Sequence, residues 1–174
     1  GKNLRKAFLR SPMEFSRITS HFSLSRFHPI MQTWRAHKGI DFGAPTGTPV
    51  RATGDGIVDV AGRQGGYGNF ILLRHQGSFS TAYGHLSRFA TGVRRGARVQ
   101  QGQVIGYVGQ TGWATGPHLH YEFRISDQQR NPLAVVLPAA LPIPADKLAA
   151  FRARSEPLSL QLGLARGLIF AAAD

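Results

Sequence analysis

Thr115-Gly116-Pro117-His118-Leu119-His120-Tyr121-Glu122-Phe123 is the stretch on which the reading of this chain turns. A Gly-Pro pair marks a turn, and the aliphatic and aromatic run behind it reads as a strand from His118 to Ile125. Successive side chains of a strand point to opposite faces, so His118 and His120 share one face while Leu119 and Tyr121 share the other. One face carries paired imidazoles.

Around this strand, glycine sets the rhythm. Eighteen of the 21 glycines lie between Gly39 and Gly116, spaced between short runs of Val, Ile, Leu, Tyr and Phe. Such punctuation predicts strands near Pro49 to Ala52, Gly56 to Ala61, Asn69 to His75, Ser80 to Leu86 and Gln103 to Val108, with turns at 53–56, 64–68 and 109–112. No helix-length 3.6-residue pattern interrupts them, which makes the body all-β, a barrel or a sandwich.

The flanks differ in composition. Residues 1 to about 36 mix basic residues with Phe and Pro; Pro12-Met13-Glu14-Phe15 reads as an entry turn and Ile18-Thr19-Ser20 as a short strand. Beyond Asn131-Pro132 the dense glycine spacing ends, and Pro138, Pro142 and Pro144 form a stiff connector into 145–152, which has helical spacing. The apolar run 158–173 is interrupted by Gly163 and Arg166 and is too short to span a bilayer. The expected organisation is an N-terminal flank 1–17, a body 18–135 and a docked, helical C-terminal extension 136–174, with short helices in both flanks.

At 174 residues the chain can bury a sufficient core without covalent staples, and 42% hydrophobic with 17% charged residues is a folded composition. There is no cysteine, so thiol nucleophiles and thiolate metal sites are excluded and any metal falls to His and carboxylate. The net charge of +12 comes from 17 Arg and 4 Lys against 9 acids, scattered without a stripe. That balance suits a polyanionic neighbour or simply a basic surface; nucleic acid has no recognition motif in its favour. The opening residues lack the apolar run of a secretory signal, and the chain reads as soluble.

Arg35-Ala36-His37-Lys38-Gly39-Ile40-Asp41-Phe42 sets a carboxylate four residues after a histidine. On an extended segment both fall on one side, with no side chain on Gly39 to block a shared ion. His37, Asp41 and one of the paired histidines make a three-ligand set that leaves a fourth position for water, as catalytic zinc sites do. Asp41 is one of only three carboxylates between Gly39 and Gly116. Tyr83-Gly84-His85-Leu86 ends a strand and supplies a further group for a proton or an oxyanion. His21, His28 and His75 match no ligand spacing. Tyr83, Tyr67, Asn69 and Trp113 are the candidate substrate contacts; Trp34, Trp113, Tyr67 and Asn69 read equally as packing or turn chemistry.

Taken in order, His37-Lys38-Gly39-Ile40-Asp41-Phe42, Ala44-Pro45-Thr46-Gly47-Thr48-Pro49-Val50, Tyr83-Gly84-His85-Leu86, Gly102-Gln103-Val104-Ile105-Gly106 and Gly116-Pro117-His118-Leu119-His120-Tyr121-Glu122 resemble the LytM/lysostaphin family of zinc metallopeptidases, from about Ile18 to Pro132. The resemblance implies an antiparallel β body with a substrate groove walled by the Gly-rich loops. It implies Zn²⁺ on His37, Asp41 and His120, with His118 and His85 as the catalytic pair. It implies a D,D-endopeptidase-like enzyme that hydrolyses peptidoglycan stem or cross-link peptides, in the periplasm or cell envelope, as a monomer. Any membrane association would come through a segment outside this chain.

Two other classes compete. A non-catalytic peptidoglycan-binding regulator or amidase activator of the same family would be expected to lose ligands, whereas every motif position is filled here. A swinging-arm carrier, which the Gly-rich stretches 49–58 and 102–108 loosely resemble, needs a hairpin lysine, and Lys2, Lys6, Lys38 and Lys147 lie at no suitable turn. The scissile bond is expected to be D-alanyl to diaminopimelate, with glycine bridges second.

Overall fold

Along residues 68–74, Phe70 and Leu72 alternate with Ile71 and Leu73, and all four are buried. A strand buried on both sides lies inside a sheet covered on both faces. Ile71 and Leu73 enter the main core with Ile40, Phe42, Val50, Tyr83, Leu86, Ile105, Val108, Leu119 and Tyr121. Phe70 and Leu72 join Ala82 in a smaller cluster on the opposite face, against Val60 and Tyr67.

The computed structural model describes residues 7–14, 17–28, 33–136, 148–158 and 161. They hold twelve strands: β1 (Arg17–Ser20), β2 (Ser23–His28), β3 (Thr33–His37), β4 (Ile40–Gly43), β5 (Pro49–Arg51), β6 (Gly56–Gln64), β7 (Gly68–Arg74), β8 (Phe79–Phe89), β9 (Arg98–Val99), β10 (Val104–Val108), β11 (His118–Ile125) and β12 (Gln128–Arg130). One ten-stranded sheet runs β1-β4-β11-β8-β7-β6-β9, with β10 joining β5 to β8 and β12 edging β11. Every pairing is antiparallel, and β2 with β3 forms a separate hairpin. All six strands expected within Pro49 to Ile125 are present, as is the short one at Ile18 to Ser20. The β2–β3 hairpin, β9 and β12 were not foreseen.

Strand β8 is irregular where it matters. Asn69 pairs with Leu86 and Ile71 with Tyr83, so two steps along β7 match three along β8. The additional residue is a β-bulge, and His85 takes it up with a left-handed backbone, φ 60°. Without the bulge His85 would follow Tyr83 into the core.

The chain divides into two compact units, Ala7–Pro138 and a second made of Gly1–Lys6 and Ala139–Asp174. Residues 148–158 of the second unit are helical, as the spacing from Ala145 onward predicts. Among the described residues the N-terminal flank carries no helix; 7–14 instead lie along the body as an irregular arm. Leu9 N–H donates to the Thr53 carbonyl at 2.7 Å, and Arg51 N–H donates to the Pro12 carbonyl at 2.8 Å. Phe8, 3% exposed, meets the rings of His75, Phe79 and Phe123 edge-on, and Met13 enters the main core. Two apolar side chains of the arm thus complete the packing of the compact unit Ala7–Pro138. No helix among the described residues is long and apolar enough to cross a membrane.

Replacing Phe8 with Ala should cost about 3 kcal/mol or more, the usual price of emptying a buried aromatic site. Urea melts of the folded protein check this; an unchanged midpoint would mean that the arm does not hold the body together.

Candidate active site

The register of β4 against β11 places Asp41 directly opposite His120. His37, the last residue of β3, reaches the same point across Lys38-Gly39. A Cβ on Gly39 would lie 2.6 and 2.7 Å from two atoms of the His120 imidazole, so glycine is what allows the three residues to close. The gap between Asp41 Oδ1 and His120 Nδ1 is 2.9 Å, that to His37 Nε2 is 3.0 Å, and the two nitrogens are 3.2 Å apart. Tetrahedral zinc with bonds of about 2.0–2.1 Å separates its ligand atoms by about 3.3 Å.

The outward hydrogen bonds decide what these atoms present. His37 Nδ1 donates to the His21 carbonyl at 2.8 Å, and His120 Nε2 donates to Glu122 Oε1 at 3.2 Å. Both imidazole protons are thus committed away from the cluster, and three lone pairs converge on its centre. Such a set repels itself unless a cation sits among the three atoms. All three groups are buried, and a donor set of two imidazoles and one carboxylate suits zinc.

Without a metal, protons substitute for that cation. Burial would raise the Asp41 pKa, yet hydrogen bonds and charge from His120 and His37 hold the carboxyl well below the usual carboxylate range. Burial likewise opposes charge on His120, but Asp41 and Glu122 overcome it and push its pKa up to about 9.

Two further imidazoles stand beside the cluster. His118 Nε2 lies 3.8 Å from Asp41 Oδ1 and outside the three-ligand group. Its Nδ1 donates to the Gly116 carbonyl at 2.8 Å. His85, turned to this face by the bulge, is 4.6 Å from His118 between ring centroids, and its Nδ1 donates to the Thr111 carbonyl at 2.8 Å. Burial pushes the His85 pKa down to about 4, only partly offset by that carbonyl. In both rings Nε2 is the atom left to act.

Of the expected substrate contacts, Tyr83 is corrected. It is 0% exposed, on the core face of β8, and its hydroxyl meets Thr53 Oγ1 and Thr81 Oγ1 at 3.0 Å each. The residue preceding the bulge keeps the alternation that His85 escapes. The Asn69 amide donates to the Leu86 and Ser87 carbonyls and thereby braces the bulge. Tyr67 sits in a single 3₁₀ turn, Gly65–Tyr67, and donates its hydroxyl to Glu122 Oε1 at 2.7 Å. Trp113 is 51% exposed and lies against Gly66; the Trp34 side chain is outside the described residues. Glu122 closes the His118-Leu119-His120-Tyr121-Glu122 motif but drew no role from the sequence, although period-two alternation puts it on the histidine face.

The model of peptidase family M23 matches residues 35–132, over half of the chain, and the chain belongs to that family. It is 47% identical over 170 residues, 97% of its length, to the DD-carboxypeptidase/endopeptidase Mpg of Neisseria meningitidis, of which it spans 38%. It is 46% identical over 140 residues, 80% of its length, to the peptidoglycan DD-endopeptidase ShyC of Vibrio cholerae, of which it spans 32%. A zinc-containing peptidase from Vibrio cholerae superposes with a TM-score of 0.71 at 37% identity, over 78% of this chain and 42% of that one. The catalytic domain of lysostaphin from Staphylococcus simulans gives 0.60 at 31% identity, over 68% of this chain and 90% of that one.

Asp41 and Glu122 push the His120 pKa up to about 9, so a zinc ion taken up by His37, Asp41 and His120 would have to displace a proton. Binding at pH 7.5 should therefore release about one proton, and apparent affinity should climb about tenfold per pH unit until the His120 pKa is passed. Calorimetry in buffers of different ionisation enthalpy measures the release; none at all would mean that His120 carries no extra proton in the metal-free cluster.

Proposed function

We propose that this chain is the catalytic part of a zinc-dependent endopeptidase that hydrolyses D,D peptide bonds in peptidoglycan cross-links, in the periplasm or cell envelope. The observation that carries the reading is the convergence of three buried lone pairs beside two imidazoles, each with its Nδ1 proton fixed on a backbone carbonyl. The names of the relatives, a DD-carboxypeptidase/endopeptidase and a peptidoglycan DD-endopeptidase, support the substrate. Retention of His37, Asp41, His85, His118 and His120 together argues against a non-catalytic regulator of the same family.

His37, Asp41 and His120 would hold the zinc, which would supply Lewis acidity to polarise a peptide carbonyl and acidify water. The remaining steps belong to side chains. His118, anchored through Nδ1, offers Nε2 beside the ligand carboxylate, where it takes up the proton of the attacking water and passes it to the leaving amine. His85 stays neutral at pH 7, because its pKa sits at about 4, and its anchored ring shares the handling of proton and developing charge. Thr111 and Gly116, through their carbonyls, hold both rings in the productive tautomer.

His118→Ala and His85→Ala should keep about one zinc per chain and lose about a hundredfold or more in turnover on defined muropeptides, read by mass spectrometry. His120→Ala should lose the zinc itself. Equal metal loss in all three variants would mean that ligand and catalyst have been exchanged.

Charge acts at longer range. With +12 on the chain, cleavage of intact sacculi should fall as the Debye length shrinks from about 10 Å at 0.1 M salt to about 3 Å at 1 M, while cleavage of a small neutral peptide changes little. A parallel fall in both would move the effect from recruitment to the site or to stability.

A further inference from the structure

Glu122 is 1% exposed, and a carboxylate so placed is costly unless its oxygens are paired. Both are. Oε1 accepts from His120 Nε2 at 3.2 Å and from the Tyr67 hydroxyl at 2.7 Å, while Oε2 accepts from Arg124 Nε at 2.7 Å and Nη2 at 2.6 Å. His120, Glu122 and Arg124 follow at intervals of two along β11 and so share a face. Tyr67 comes from elsewhere, from the 3₁₀ turn between β6 and β7, and its ring lies 5.6 Å from the His120 imidazole.

We propose that Tyr67, Glu122 and Arg124 form a positioning set that fixes the tautomer and orientation of His120, so that a hydroxyl on a separate loop governs how tightly the metal is held. The inference rests on the zinc reading given above. With Arg124 clamping one oxygen in a fork, the carboxylate cannot swing away from His120. Tyr67 fills the remaining side of the other oxygen, which leaves the Nε2 proton of His120 one acceptor in one direction. Whenever His120 carries a single proton, that proton sits on Nε2 and Nδ1 is the bare atom facing the cluster. A carboxylate behind a metal-bound imidazole also raises the basicity of the ligand.

The turn that carries Tyr67 is itself held tightly. Trp113 N–H donates to the Gly66 carbonyl at 2.8 Å, and a Cβ on Gly68 would collide with Thr111. Thr111 is the residue whose carbonyl anchors His85. A single loop thus supports the metal ligand through Tyr67 and contacts the segment that supports the neighbouring imidazole.

The test is zinc affinity, by chelator competition, in the unaltered protein, Glu122→Gln, Tyr67→Phe and the double variant, together with ¹⁵N NMR of the His120 ring in each zinc-loaded form. Glu122→Gln should weaken binding about 10- to 100-fold and Tyr67→Phe about three- to tenfold. The double variant should be no weaker than Glu122→Gln alone, because both act on the same proton. His120 should carry its proton on Nε2 in the unaltered protein and lose that uniformity in Glu122→Gln. Folded variants within twofold of the unaltered affinity, or effects that simply multiply, would overturn the inference. If Glu122→Gln fails to fold, Tyr67→Phe decides alone: unchanged affinity with an unchanged His120 signal overturns it. Failure of the unaltered protein to take up one zinc would instead overturn the metal reading.

Discussion

Three lone pairs pointed at one spot are an unfavourable thing to build, and most of the structure around the site resists their separation. His37 Nε2, Asp41 Oδ1 and His120 Nδ1 lie within 3.2 Å of one another; left to themselves, the side chains would turn apart. They are prevented by the outward bonds to His21 and Glu122 and by the missing side chain at Gly39. Cross-strand register, which pairs Asp41 with His120, does the rest. The arrangement is relieved by a metal ion or, in its place, by a proton on His120.

The same economy explains where the polar groups lie. Tyr83, Tyr121, Thr53 and Thr81 bury hydroxyls on the core side, and these satisfy one another. The opposite side of β11 buries charges, which are satisfied through Arg124 and the cluster of His37, Asp41 and His120. A sheet two residues apart in period, with hydroxyls on one side and ionisable groups on the other, keeps the two networks from competing for partners.

Much of this was legible in the letters. Alternation is strict in a regular strand, so His118 and His120 could be assigned a common face, and glycine spacing marked the strands because few residues tolerate tight turns. The same rule failed in β8. Counting by twos gives Tyr83 and His85 one common face; the structure separates them by one bulge that no letter announces. Glu122 and Tyr67 were hidden for another reason: their bonds join β11 to a turn some 55 residues earlier, and no local pattern encodes such a meeting. The arm at 7–14 escaped because Phe8 and Met13, isolated among basic and polar residues, show no period at all.

The bulge has an implication for how such a site is lost. Its effect depends on how many residues lie between two points of the β7–β8 ladder and hardly at all on which residues they are. Removing one residue there would let two steps of β8 match two of β7, so that Tyr83 and Leu86 keep the core face and only the extra position is lost. The left-handed position that turns His85 away from the core thus hangs on one residue of length that the core pairings themselves do not require.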